Sequence, residues 1–266
     1  MKNPDIKIFN SPEKLVQALC DSFIQMISKT GQSNTLHVAL SGGSTPRVFF
    51  EHLAHVGNNV PWQNVHFYWC DERCVPPDHP DSNFGMTKKY LLDKIDISDQ
   101  NLHRIHGEKD PTVEAERYSH HLLESITKQE KNYPVFEWII LGLGEDGHTA
   151  SIFPGQEKII RSTKICAVAE HPQTGQKRIT LTLPVINLAD RITFLVSGKS
   201  KANIVAEILN NKKINMIYPA AMVQSKQNPI EWYLDKEAAT LLTVSYTHLR
   251  AHETVLDLVC RLLLEK

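Results

Sequence analysis

Residues 141–155, LGLGEDGHTASIFPG, combine two patterns that belong to different chemistries. Three glycines repeat with the G-x-G-x-x-G spacing of a dinucleotide-binding turn. The same turn carries the carboxylates of Glu145 and Asp146 and, directly after its last glycine, His148. Because histidine exchanges protons near neutral pH, this turn suits acid–base catalysis as well as cofactor binding.

The two carboxylates disfavour a dinucleotide in this turn. Glu145 and Asp146 occupy the positions where a pyrophosphate would lie, and like charges at contact distance repel. Pro154 and Gly155 interrupt the long helix that a dinucleotide-binding fold places after the turn. We therefore expect no nicotinamide cofactor here and predict that Asp146 and His148 face a substrate.

A second loop, residues 41–45, lies between a predicted strand and a predicted helix. Its residues are Ser41, Gly42, Gly43, Ser44 and Thr45. Glycines let the backbone approach an anion closely, and free N–H groups at a helix start attract negative charge. No G-K-[ST] follows, so the loop does not indicate a nucleoside triphosphate. An ordinary tight turn in which Ser44 or Thr45 caps the helix explains the pattern equally well.

Further charged residues stand near predicted strand ends or helix starts. Asp71, Glu72 and Arg73 follow one predicted strand directly. Adjacent carboxylates are suited to hold a sugar hydroxyl or to direct a proton, and arginine binds phosphate well. A solvated charged loop is the simpler alternative. Arg178 and Lys201 begin a later strand and helix, and each alone indicates only a surface cation.

These loops need a fold that brings strand ends together. Short apolar runs alternate with amphipathic patterns, which favours a single α/β domain with a mostly parallel sheet and helices on both faces. Ligands of such sheets bind beyond the carboxyl ends of the strands. The predicted strands are 35–40, 65–70, 136–141, 164–170, 178–183 and 191–198, and the predicted helices are 11–30, 46–54, 82–95, 111–129 and 199–209.

Composition excludes several classes of protein. The 266 residues carry a formal net charge of −1, so no overall field attracts nucleic acid or an anionic membrane. No apolar run approaches the ~20 residues of a membrane span, and the first residues lack an apolar signal core, which predicts a cytoplasmic protein. The cysteines are odd in number and scattered, so we expect structural thiols rather than disulfides or a metal site. They are Cys20, Cys70, Cys74, Cys166 and Cys260.

Five motifs, taken in their order along the chain, resemble the 6-phosphogluconolactonase family within the glucosamine-6-phosphate isomerase superfamily. They are SGGSTP, DERCVPPDHPDSN, LGLGEDGHTASIFPG, RITLTLPVIN and SGKSKA. The resemblance covers about residues 10–242. It implies a Rossmann-like α/β domain with no bound cofactor or metal, and hydrolysis of 6-phospho-D-glucono-1,5-lactone. The implied partner is this small sugar-phosphate lactone, and we expect a monomer.

The resemblance also implies roles for individual residues. His148 is the expected general base and Asp146 its neighbour, while Arg178 and Lys201 are expected to bind the phosphate. The 41–45 loop would surround the substrate, and we expect Gly144 and Gly147 to let the histidine loop approach the sugar ring. The contribution of residues 71–73 stays open.

Two other functions fit parts of the pattern. The sister activity, glucosamine-6-phosphate deamination, is expected to use a glutamate five residues after the histidine. Here that position is Phe153, which cannot do acid–base work, so the lactonase is favoured. A non-catalytic sugar-phosphate sensor would keep the cations but could discard the base, and the presence of His148 argues against it.

The chain departs from the family pattern at about residue 243. Residues 243–266 have helical apolar spacing at Val255, Leu258, Val259 and Leu262, so an amphipathic helix is one interpretation. They also resemble tails produced when sequencing adaptor is translated as protein. We favour this second interpretation and divide the chain into a domain of residues 1–242 and a foreign tail.

We predict that neither NAD nor NADP binds the 141–155 turn, because Glu145 and Asp146 place negative charge where the pyrophosphate would lie. Calorimetric titration to millimolar ligand should show no saturable heat. A stoichiometric isotherm would contradict this prediction and support an oxidoreductase.

Overall fold

The computed structural model describes residues 2–30, 34–57, 60–210 and 217–243. The tail expected to be foreign lies outside these residues, apart from Thr243. The strands are β1 (Asp5–Phe9), β2 (Leu36–Leu40), β3 (Val65–Trp69), β4 (Asp71–Arg73), β5 (Leu102–His103), β6 (Gln129–Glu130), β7 (Tyr133–Pro134), β8 (Trp138–Leu141), β9 (Cys166–Glu170), β10 (Lys177–Leu181), β11 (Ile192–Val196) and β12 (Glu231–Asp235). The α-helices are α1 (Pro12–Thr30), α2 (Ser44–Val56), α3 (Asn83–Tyr90), α4 (Pro111–Ser125), α5 (Glu157–Ile160), α6 (Leu183–Ile186), α7 (Ala202–Asn210) and α8 (Pro219–Met222).

A seven-stranded parallel sheet forms the centre of the domain. Its order is β1-β12-β11-β8-β2-β3-β5, and every neighbouring pair is parallel. Every residue of β2, β8 and β11 is buried. Such continuous apolar strands are typical of parallel sheets that are covered on both faces. The predicted α/β class is confirmed.

Helices cover both faces of this sheet. On one face, Phe23 of α1 stacks on Phe67 with ring centroids 6.2 Å apart and on Trp138 at 5.4 Å. On the other face, His121 of α4 contacts His103. Residues 66 and 67 are neighbours on β3, and their side chains point to opposite faces because strand side chains alternate. Since Phe23 is fully buried, we expect its replacement by alanine to cost about 3–5 kcal/mol.

Three predicted segments form a second, antiparallel sheet rather than part of the parallel one. Its order is β4-β10-β9. The predicted strands 164–170 and 178–183 correspond to β9 and β10, but only a short turn separates them, and antiparallel strands alone can be joined so closely. Residues 71–73, which we predicted as a loop, form β4 by pairing with β10.

Several element boundaries differ from those expected. The helix predicted over 82–95 ends at Tyr90 and is followed by a 3₁₀ turn at Leu92–Lys94. Helix α2 begins at Ser44 rather than at residue 46. The edge strands β1 and β5 were not predicted, since both are only partly buried and lack a clear apolar run, and β12, the inner neighbour of β1, was not predicted either. In the part of the chain that the structure describes, no helix is both long enough and apolar enough to cross a bilayer.

A row of histidines crosses one face of the sheet beneath α4. His66 Nδ1 lies 2.8 Å from His103 Nε2, and His103 Nδ1 lies 2.8 Å from His121 Nε2. The ring of His37 lies 5.5 Å from that of His66. Burial, together with neighbouring imidazoles, lowers the pKa of His37 to about 4 and that of His103 to about 3. Burial also lowers the pKa of His66 and of His121.

We predict that this histidine row makes the fold sensitive to acid. The pKa of each member is lower in the folded chain than the ~6.5 expected when unfolded, so the unfolded state binds more protons as pH falls. The free energy of unfolding should therefore fall as pH decreases from about 6.5 towards 4. Urea unfolding at pH 7 and pH 5 measures this change.

The variant His103→Gln keeps a donor and an acceptor in the row but cannot titrate. We expect it to reduce proton uptake on unfolding by up to about one proton. The exposed neighbour of this row, His120→Gln, is the matched control and should leave the pH dependence as it is. An unchanged dependence in His103→Gln would contradict the prediction.

Candidate active site

A polar cavity of about 210 Å³ opens at the carboxyl ends of the central strands. Parallel α/β sheets bind ligands at this edge, because loops from several strands converge there. The cavity residues come from the ends of β2, β8 and β11, from β4 and β10, and from the starts of α2 and α3. They are Ser41, Gly42, Gly43, Ser44, Thr45, Pro46, Asp71, Arg73, Asn83, Gly142, Leu143, Gly144, His148, Ala150, Arg178, Leu195, Val196, Ser197 and Lys201.

The start of α2 forms one wall of the cavity. Gly43 precedes the helix with φ +120°, and no side chain caps the first turn. The alternative in which Ser44 or Thr45 caps this helix is therefore wrong. Uncapped N–H groups at a helix start favour an anion. A Cβ atom at Gly42 would overlap the side chain of Asn83, so only glycine fits between the two loops.

Two arginines lie opposite each other on the antiparallel sheet. Arg73 of β4 and Arg178 of β10 are register partners, and the Nε atom of each is buried without a hydrogen-bond partner. Arg73 Nη1 donates to the carbonyl of Asp81 at 2.6 Å. Burial, and then the charge of Arg73, lower the pKa of Arg178. The unused donors and the charge repulsion both favour an anionic ligand.

Lys201 adds a third cation to the cavity lining. Its Nζ lies 3.9 Å from Glu145 Oε1, beside the histidine loop. Burial lowers the pKa of this lysine, although the charges of Glu145 and Asp146 act in the other direction. Lys201 follows a turn that Asp235 holds, since the carboxylate accepts hydrogen bonds from Ser197 Oγ at 2.5 Å and from Gly198 N.

His148 and Asp146 form a hydrogen-bonded pair. His148 Nδ1 lies 2.5 Å from Asp146 Oδ1, which also accepts the backbone N–H of His148 at 3.1 Å. Burial acts to raise the pKa of Asp146, but the hydrogen bonds and charge of His148 outweigh it and lower that pKa. An ionised carboxylate accepts a hydrogen bond from Nδ1–H, so Nε2 is left as the proton acceptor in a ring that lines the cavity.

Glycines hold the histidine loop in this shape. Gly144 N donates to the carbonyl of His148 at 2.8 Å, and a Cβ atom at Gly144 would overlap the imidazole ring. Gly147 adopts φ +81° and packs on the ring of Tyr218. Positive φ and close packing together require glycine at this position. The two glycines therefore serve to place the imidazole, while Gly147 itself lies outside the cavity lining.

The end of the same loop is attached to the antiparallel sheet. Ser151 Oγ donates to Asp71 Oδ2 at 2.6 Å, and Ser151 N donates to Thr180 Oγ1 at 3.1 Å. Arg178 Nη1 reaches the same Ser151 hydroxyl at 3.5 Å. The loop with the histidine and the strand with the arginine are thus connected through buried polar contacts.

Glu72 is turned away from the cavity, unlike its neighbours Asp71 and Arg73. Its carboxylate accepts the backbone N–H groups of Arg73, Asn83 and Phe84 and the hydroxyl of Ser82. Burial raises the pKa of Glu72 despite these hydrogen bonds. Glu72 therefore binds the backbone at the start of α3 and does not face the cavity.

Asn83 and Ser197 line the cavity although the sequence did not single them out. Asn83 Nδ2 donates to the carbonyl of Asp71 at 2.9 Å. Its only sequence signal is its position near the start of the predicted helix 82–95, in the same motif as Asp71. Ser197 follows β11 in the same way that Ser41 follows β2, but the strand predicted over 191–198 ran past it and hid this repeated position.

The glycine pattern of the histidine loop does not open a helix. After Gly147 the chain forms an isolated β-bridge between Thr149 and Ile152, and α5 begins only at Glu157. A dinucleotide-binding turn needs a helix start at this point. Among the residues that the structure describes, no three His, Cys, Asp or Glu side chains are grouped as metal ligands would be.

The fold and cavity define a Rossmann-like α/β protein that combines a histidine–carboxylate pair with an anion-binding helix start and buried cations. The family model described as glucosamine-6-phosphate isomerases/6-phosphogluconolactonase matches residues 10–232. This chain belongs to that family.

Relatives of known name cover most of the chain. The 6-phosphogluconolactonase of Haemophilus influenzae is 45% identical over 212 residues, which are 79% of this chain and 89% of the relative. The human 6-phosphogluconolactonase is 34% identical over 247 residues, or 91% of this chain and 95% of the relative. The solved structure of 6-phosphogluconolactonase from Trypanosoma brucei superimposes with a TM-score of 0.78 at 28% identity, covering 91% of this chain and 100% of that one.

We predict that Arg178→Ala and Lys201→Ala each weaken binding of 6-phosphogluconate at least tenfold, because each removes a charge-assisted hydrogen bond worth about 1.5–3 kcal/mol. Binding of gluconate, which lacks the phosphate, should change much less. Calorimetry with both ligands measures the difference.

Exposed neighbours provide matched controls for charge. Lys177→Ala and Lys199→Ala remove the same charge next to each site residue, and both side chains are exposed. These controls should bind 6-phosphogluconate as the unchanged protein does. Equal losses for both ligands, or losses as large in the controls, would reject the assignment of Arg178 and Lys201.

Proposed function

We propose that this chain hydrolyses 6-phospho-D-glucono-1,5-lactone to 6-phosphogluconate, with His148 as the general base. Relatives at up to 45% identity in the comparison above act as 6-phosphogluconolactonases. The observation that carries the mechanism is the His148–Asp146 pair, which leaves Nε2 as a proton acceptor beside an anion-binding cavity.

The phosphate supplies the binding energy far from the reacting carbonyl. Arg178 and Lys201 provide charge, and the uncapped start of α2 provides backbone N–H groups from the 41–45 loop. Arg73 lies beside Arg178 with an unused Nε and completes this cationic wall. Asp71 is suited to accept a sugar hydroxyl. The net charge of −1 gives no general attraction for an anion, so these local donors must supply the attraction.

His148 activates water in the first step. As the water oxygen adds to C1 of the lactone, one water proton passes to His148 Nε2 and the carbonyl oxygen takes the negative charge. Asp146 accepts a hydrogen bond from Nδ1–H throughout and stabilises the imidazolium that forms. A positioned general base of this kind contributes about 10²–10⁴-fold. We assign stabilisation of the oxyanion to backbone N–H groups of the glycine loops.

Collapse of the tetrahedral intermediate completes the reaction. The bond between C1 and the ring oxygen breaks, and the imidazolium returns its proton to that oxygen, which becomes the 5-hydroxyl group. The acid product then loses a proton to solvent. A lactone is an activated ester, so neither a metal ion nor a covalent nucleophile is needed for this sequence.

The deaminase alternative lacks an acid–base group at the position where the resemblance implies a glutamate. Phe153 is fully buried there and packs against His148. The sensor alternative does not account for the pairing of His148 with Asp146, since phosphate binding alone needs no oriented base.

We also propose that the enzyme works in the cytoplasm as a monomer. Cys20, Cys70, Cys74 and Cys166 are all free thiols, as expected in a reducing compartment. Large exposed apolar side chains in the described residues are few, namely Val48, Val56, Val113, Ile217 and Leu241. Sedimentation equilibrium across a range of concentrations tests the monomer, and a constant dimer mass would contradict it.

The central test compares turnover of 6-phosphogluconolactone with that of glucosamine 6-phosphate, after subtraction of spontaneous lactone opening. We predict that His148→Asn lowers kcat on the lactone by about 10²–10⁴-fold. Affinity for 6-phosphogluconate should change less than about threefold, because the phosphate contacts remain. The exposed His55→Asn is the control and should keep full activity.

The pH profile gives a second readout. A protonated imidazole cannot accept a proton, so kcat of the unchanged enzyme should fall at acid pH, and this limb should be absent in His148→Asn. A fully active variant would disprove the mechanism. Loss of binding with unchanged kcat would show His148 to be a ligand contact only.

A further inference from the structure

Phe153 packs against both His148 and Arg178 without lining the cavity. Its ring is fully buried, and its centroid is 4.7 Å from that of the His148 imidazole. Arg178 Cζ lies over the same ring, 5.5 Å from its centroid. His171 packs against its edge at 5.2 Å. One apolar side chain therefore contacts both the base and the cation.

Polar contacts alone do not fix these two groups. Among the described residues, the Asp146 carboxylate is the one side-chain hydrogen-bond partner of the His148 ring. This carboxylate is itself 46% exposed. Arg178 has an unpartnered Nε and a long contact of 3.5 Å to Ser151 Oγ. A flexible guanidinium and a half-exposed loop would each sample several orientations if nothing else restrained them.

The Phe153 ring is held firmly enough to supply that restraint. Two residues before it, Ser151 N donates to Thr180 Oγ1, so the segment 151–153 runs beside the strand that carries Arg178. Ile152 is fully buried next to it. A buried aromatic ring has few rotamers and tight neighbours, and it moves less than either of the groups it contacts.

We propose that Phe153 is a positioning residue, whose ring sets the orientation of His148 and of Arg178 relative to each other, an inference that rests on the proposed function for the reaction it serves. The face of the ring attracts the guanidinium, and its bulk limits rotation of the imidazole about χ1 and χ2. A carboxylate at this position would form an ion pair with Arg178 and neutralise the positive charge that binds the phosphate.

The test replaces the ring while keeping an apolar side chain. Phe153→Leu should lower kcat on the lactone roughly tenfold, the factor that corresponds to about 1.4 kcal/mol. It should also weaken binding of 6-phosphogluconate several-fold, with gluconate little affected. Phe136→Leu is the matched control, because Phe136 is equally buried but packs on Tyr68. It should cost similar thermal stability and leave kcat and phosphate-dependent binding unchanged.

A double-mutant cycle separates positioning from a general loss of structure. In the Arg178→Ala background, Phe153→Leu should no longer weaken 6-phosphogluconate binding, because the guanidinium that it orients is gone. In addition, ¹⁵N NMR of the imidazole should show a mixture of His148 tautomers in Phe153→Leu and a single one in Phe136→Leu. If Phe153→Leu does not fold, Phe153→Met provides the same comparisons with less loss of volume.

Several results would overturn the proposal. They are unchanged kcat and binding in a folded Phe153 variant, equal effects in Phe136→Leu, and additive losses in the cycle. Failure of the proposed function is distinguishable from these. If the unchanged protein does not hydrolyse the lactone, 6-phosphogluconate binding, the double-mutant cycle and the tautomer measurement still decide whether Phe153 orients its two neighbours.

Discussion

The common direction of seven strands is the constraint on which the site depends. Because every pair in the central sheet is parallel, the chain leaves each strand at the same edge and must return across a face of the sheet before it enters the next. Loops that are far apart in the sequence therefore meet at this edge. The helix start that follows β2 and the histidine loop that follows β8 face each other across one cavity for this reason alone.

The small antiparallel sheet adds cationic side chains on rigid strands, which the loops of the parallel sheet do not provide. Loops at a sheet edge are exposed to water, which weakens charge interactions. Strands β4 and β10 lie over this edge and bring two arginines into it on rigid backbone. Ser151 of the histidine loop donates a buried hydrogen bond to Asp71, and the carboxylate of Glu72 accepts one from Asn83 N, so β4 is attached to the histidine loop and to α3. The cations and the base are thus placed by separate elements that share a packed boundary.

The sequence correctly predicted those elements that are encoded by residues adjacent in the chain. The Ser11–Pro12 start gave α1 correctly, and the apolar run before the 41–45 loop gave β2. Residues 71–73 were expected in a loop because β4 exists only through pairing with a strand far along the chain, which no local spacing encodes. The cavity includes His148, Arg178 and Lys201, which the motifs singled out. Glu72 was misplaced because carboxylates at a ligand and at a helix start have the same sequence signature, and only the path of the chain to α3 distinguishes them.

The facing arginines have a consequence for the lifetime of the protein. Like charges on directly opposed residues of a sheet destabilise it, and here both guanidinium groups also lack partners for Nε. The empty fold therefore contains local electrostatic frustration, which an anion in the cavity relieves. The repulsion between the arginines opposes folding of the ligand-free protein, and its relief adds to the binding free energy of an anion. Molecules that hold ligand therefore unfold less often. Since proteases and chaperones act on unfolded chains, abundance of this protein should rise with the supply of its own anionic ligand.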